Sequence, residues 1–119
     1  MDKHFRKSFM VTVSLGFFSA CDAMRELDST EKDNSIIIGY LSIANSYISS
    51  AYAIYSCNYV KLKNIKLDDL FHCFHLFSNE LMKSINTHED HRWIKNNFND
   101  FKSSYGEVEL LFGDVRHPL

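Results

Sequence analysis

Four of the six histidines fall into two pairs of identical spacing, and they are the residues best suited to chemistry. His72-Cys73-Phe74-His75 and His88-Glu89-Asp90-His91 each set two imidazoles three residues apart, which on a helix places them on one face. With Glu80, Glu89 or Asp90 close by in sequence, these are the donor types of a zinc-like centre. The elements that must carry them work against a shared ion. Each pair opens its own helix, so in an antiparallel hairpin the pairs lie at opposite ends. At a rise of about 1.5 Å per residue, His75 and His88 stand roughly 15 to 20 Å apart. Nor is the spacing the i, i+4 arrangement of zinc-protease helices. Metal binding through His72, His75, His88 and His91 is therefore the alternative reading, and no cofactor is expected.

Other routes to catalysis find less support. Cys21, Cys57 and Cys73 are an odd count with no C-x-x-C pair, and each sits in an apolar helical stretch. They read as buried, reduced thiols of a cytoplasmic protein. No G-x-S-x-G elbow accompanies the many serines, and no glycine-rich loop could cradle a phosphate. The Arg-to-His spacing used by helical-bundle ribonucleases also fails. Arg92 is followed by Trp, Ile, Lys, Asn, Asn and Phe, and Arg116 and His117 are adjacent. No reaction is named by these residues, and a non-enzymatic role is the expectation.

A binding surface is better supported. Trp93 lies one residue off the apolar spacing Ile94, Phe98, Phe101, which points to partial exposure. Glu89, Asp90, Asn97 and Asp100 surround it with a polar, acid-leaning rim, the make-up of a protein-contact patch around an aromatic anchor. The net charge of −2 gives no basic footprint for nucleic acid. No stretch reaches the roughly 18 apolar residues that span a bilayer.

The elements that position these residues are helical. One proline, at position 118, and four glycines leave few breakers in 119 residues, a length that suits a single domain, 1–119. The stretch around which the chain is organised is 35–57. Ile37, Leu41, Ala44, Ile48, Ala51 and Tyr55 recur at fours and threes, and Tyr40, Tyr47 and Ile54 run beside them at sevens. So wide an apolar arc predicts the central helix of a bundle. The N-terminal run to Cys21 imitates a secretory signal, with basic residues, an apolar core and Ser19-Ala20-Cys21. Yet Phe5, Phe9, Val13, Phe17, Ala20, Met24 and Leu27 keep helical spacing, which predicts a first helix over Lys3–Leu27.

After the second helix, 57–66 reads as a packed loop, and Asp68 offers an N-cap for a third helix over 68–86. A capping box, Thr87-x-x-Asp90, opens a fourth helix to about Ser104. Gly106 breaks it, and 107–112 forms a short C-terminal fifth helix with Gly113 as its cap. The expected fold is all-α, an antiparallel bundle of four main helices plus that short fifth. The expected function is a small cytosolic protein-binding module, most concretely an inhibitor or immunity-type protein that masks a bacterial toxin or effector. A self-associating subunit, with a homodimer as its simplest form, is a further alternative.

Overall fold

The computed structural model describes residues 3–85 and 91–112. Five helices appear in these residues: α1 (Lys3–Leu27), α2 (Asn34–Cys57), α3 (Tyr59–Leu62), α4 (Ile65–Ser84) and α5 (Arg92–Leu111). Four are long and one is a single turn, and no strand occurs among the described residues.

The side-chain contacts fix the topology. Ser14 of α1 meets Tyr105 of α5, and Phe9 meets Phe112, so α1 and α5 run antiparallel. Tyr55 of α2 meets Asp68 of α4 while Asn34 meets Ile85, again antiparallel. Phe74 packs on Phe101 and Phe77 on Phe98, which sets α4 against α5 in the same sense. With α1 and α2 packed as a hairpin, the helices stand at the corners of a square in the order α1, α2, α4, α5. This is an up-down-up-down bundle. Among the described residues no helix is central: α2 touches α1 on one flank and α4 on the other, and no described element covers its back.

Packing within the square follows from side-chain size. Gly16, Ala20 and Ala23 of α1 and Ala44 and Ala51 of α2 are buried, and these small residues let the two backbones close on each other. A Cβ on Gly16 would lie only 2.7 Å from two carbons of Ile48. The opposite half is filled by rings. Phe17 stacks on Tyr105 at 4.0 Å between centroids, and Phe74, Phe77, Phe98 and Phe101 continue the aromatic layer between α4 and α5. Phe9, Val13, Phe17 and Ala20, which resemble a signal segment in sequence, are buried in this core.

Local chemistry sets the helix ends, and it differs from the caps that residue order suggests, Asn34 or Ser35 for α2 and Asp68 for α4. The N-cap of α2 is Asp33, whose Oδ1 accepts the Ser35 N–H at 2.8 Å, while Asn34 donates instead to the Ile85 carbonyl. Glu26 accepts from the Asp33 N–H and the Ser29 hydroxyl and so ties down the α1–α2 connection. For α4 the cap is Asn64, accepting from the Lys66 N–H at 2.8 Å, and the helix starts three residues before Asp68. Asp68 is used differently: it accepts the Tyr55 hydroxyl at 2.6 Å.

The segment 57–66, expected as a loop, contains the turn α3, held by Leu62, which is buried. It is the short helix of this bundle. Residues 107–112, expected as a separate helix, are the end of α5 and its C-cap Phe112. Gly106 costs about 1 kcal/mol in a helix interior, but Tyr105 and Val108 on either side are buried and hold the helix continuous. The expected caps Thr87 and Gly113 lie outside the described residues.

Candidate functional site

Trp93 sits in the first turn of α5 and is 68% exposed, so little of the indole is used by the core. The helix continues its face through Asn97, Asp100, Ser104 and Glu107, at spacings of four, three, four and three. Asn97 and Ser104 are half-buried; Asp100 and Glu107 are exposed.

The neighbouring edge of α4 reads Asp69, Cys73, Leu76 and Glu80, also at fours and threes. The two edges meet. Burial pushes the half-buried Cys73 thiol up from its ordinary value, and the negative charges of Asp100 across the seam and Asp69 one turn back push it further. The surface over the α4–α5 seam thus holds two apolar projections, Trp93 and Leu76, the latter 45% exposed. Four acids, Asp69, Glu80, Asp100 and Glu107, lie along the same two helix edges, and Lys83 follows Glu80 at the Trp93 end. Of the residues expected in the patch, Trp93, Asn97 and Asp100 lie on this face of α5, and the α4 edge was not among them. The signal was present in the antiparallel register, which sets Cys73 and Leu76 beside Asp100. Glu89 and Asp90 lie outside the described residues.

The histidines are distributed as their helix positions require. His72 and His75 are both exposed on α4 and line a groove of about 510 Å³ between α2 and α4. Asn45, Tyr52, Asp68 and Phe71 form much of its remaining wall. The His75 ring faces Asn79 at 3.1 Å, a contact within its own helix. His91 precedes α5 at the far end of the bundle, where its Nε2 accepts from Lys32 Nζ at 3.1 Å. From His75 to the end of α4 is already about 14 Å of helix rise. Among the described residues no group of three or more His, Cys, Asp or Glu side chains comes together as a metal site. His88 lies outside them.

The cysteines are unpaired. Cys21 and Cys73 are half-buried, and burial raises the Cys21 thiol as well. Cys57, expected to be buried, is exposed at the last residue of α2, because the helix turns its 36-43-50-57 heptad away from the core. No helix among the described residues is long and apolar enough to cross a membrane.

No protein family matches the chain, and neither a curated protein nor a solved structure is significantly similar to it.

Proposed function

We propose that this chain is a small, non-enzymatic protein-binding module of the inhibitor or immunity type, which holds a basic bacterial toxin or effector against its α4–α5 face in the cytoplasm. The observation that carries the reading is the exposure of Trp93 within an acid-lined stripe. A large amphipathic ring left 68% in water contributes little to the fold, and on a partner it would supply the buried anchor that dominates contact energies. The acids around it favour a basic partner and would speed its approach at low salt.

Trp93 is the single tryptophan of the chain, so its fluorescence reports on this surface alone. A partner recovered from the native host should shift the emission to the blue and shield it from acrylamide. Trp93→Ala should leave the helical circular dichroism unchanged and weaken capture by about 30-fold or more, the effect of losing a hot-spot anchor. A partner that binds Trp93→Ala and the parent protein equally would refute this placement of the site. A homodimer formed through a face of the bundle other than α4–α5 is compatible with the proposal.

A further inference from the structure

α2 carries no charged residue along its 24 positions, yet only six of them are buried. The other long helices all carry charges on their solvent faces. On the back of α2, Ile36 (44% exposed), Tyr40 (36%), Ile43 (47%) and Tyr47 (36%) form a ridge at four, three and four. The ridge leans towards α1, because Tyr47 Cβ lies beside Gly16. Its α1 flank is uncharged too through Thr12, Leu15 and Ser19, and Thr12 spends its hydroxyl on the Ser8 carbonyl. The first charges along that edge are Asp22 and Glu26.

We propose that this face is the contact of a parallel homodimer, in which α2 of one copy lies alongside α2 of a second. The fit comes from the order of large and small residues. Every member of the ridge follows a small residue: Ser35-Ile36, Gly39-Tyr40, Ser42-Ile43, Ser46-Tyr47, and further along Ala53-Ile54. A two-fold axis parallel to the helices brings the ridge of one copy beside the small row of the other at the same height. The two tyrosines of the ridge then meet gaps, Tyr40 over Gly39 and Tyr47 over Ser46, while Ile36 and Ile43 meet their own counterparts. The positions on the axis, Ile36, Ile43, Ser50 and Cys57, repeat at sevens, and so do the small residues Gly39, Ser46 and Ala53. That is the period of two helices that stay in contact along their length.

The area is adequate. A 24-residue helix is about 36 Å long and 10–12 Å across, so half of its surface amounts to about 600 Å² per copy. About 1,200 Å² in total reaches the lower limit of stable, specific interfaces. A partner of opposite charge has nothing to recognise here, whereas two uncharged, self-complementary faces meet with no charge to desolvate. The contact uses the side of the bundle away from Trp93, so it stands apart from the reading of the α4–α5 face.

The test is a concentration series by sedimentation equilibrium. The intact chain should associate to a dimer whose affinity is insensitive to added salt. Ile43→Glu, on an exposed position, should lower association by about a hundredfold or more while circular dichroism stays unchanged, since it sets two carboxylates on a dry axis. Leu110→Glu, on an 80% exposed residue of α5, and Trp93→Ala should both leave association intact. Orientation is read from the native Cys57. Mild oxidation with diamide should join two Cys57 thiols in a disulfide, the diamide taking up the electrons and protons. The bond should be absent in Cys57→Ser and lost in Ile43→Glu. A chain that is monomeric throughout the series, or a dimer undisturbed by Ile43→Glu, would overturn the proposal. A dimer that never crosslinks through Cys57 would overturn its parallel arrangement.

Discussion

The closeness of α1 and α2 can be tested by making the same substitution at two glycines. Gly16 and Gly106 both lie inside long helices, so replacing either by Ala gains about 1 kcal/mol of helix propensity. Their surroundings are opposite. A Cβ on Gly106 meets nothing within 4 Å. On Gly16 it would stand 2.7 Å from Cγ1 and Cδ1 of Ile48 and 3.3 Å from Tyr47 Cβ, where carbon contacts are relaxed at about 3.5–4.0 Å. Ile48 is buried and β-branched, so its χ1 has little freedom to swing aside. Relief therefore requires α1 and α2 to part by about 1 Å, and overpacking of this kind costs about 1–3 kcal/mol. Because the propensity gain is common to both variants, their difference in stability isolates the steric cost. Gly106→Ala should raise Tm, and Gly16→Ala should fall below it by about 4 °C or more. Thermal and urea unfolding followed by circular dichroism would measure both. Combining Gly16→Ala with Ile48→Val, which removes one clashing carbon, should recover part of the loss beyond additivity. If Gly16→Ala stabilises as much as Gly106→Ala, the backbones are not in the contact described.

Two further outcomes concern the tyrosines. Tyr105→Phe keeps the ring stacked on Phe17 but leaves the buried Ser14 hydroxyl, 2.8 Å from Tyr105 Oη, without its partner, and should cost about 1–2 kcal/mol in urea unfolding. Ser14→Ala added to it should restore much of that loss, and a simple sum of the two single effects would contradict the pairing. Burial, with the Asp68 bond at Tyr55 and burial again at Tyr105, pushes both phenols up to about 12. The unfolded chain gives up these protons near pH 10, so this contribution is complete below pH 10 and is lost as pH rises towards 12. Tm should fall across that window, less steeply in Tyr105→Phe, and a flat Tm would refute the burial of both hydroxyls.

Much of this fold is legible in residue order because the periodic positions carry the core. Ile37, Leu41, Ala44, Ile48, Ala51 and Tyr55 are the buried residues of α2, and the first helix begins and ends where its spacing predicts. Helix ends are less legible, because Asp and Asn can serve several partners. Asp68 looks like a cap, but Asn64 reaches the free N–H groups first and leaves Asp68 to Tyr55. At Gly106, tertiary burial of Tyr105 and Val108 outweighs a local propensity of about 1 kcal/mol. The α4–α5 face was half visible. Trp93 announces itself by falling off the apolar spacing, whereas Asp69, Leu76 and Glu80 join it only through the register of two helices.

The instructive difference is at α2. Its apolar arc is wide enough to predict a helix surrounded by others, and the fold instead sets it at a corner of the square. Burial in the monomer accounts for six residues of one stripe. It does not account for Tyr40, Ile43 and Tyr47, which stay exposed, or for the absence of any charge along the 24-residue helix. Soluble helices ordinarily turn Lys and Glu outward, as α1, α4 and α5 of this chain do. The surplus is ordered as well, with small and large residues in fixed succession at sevens. A helix patterned for neighbours on more sides than its own fold supplies is the property that a second copy of α2 would satisfy.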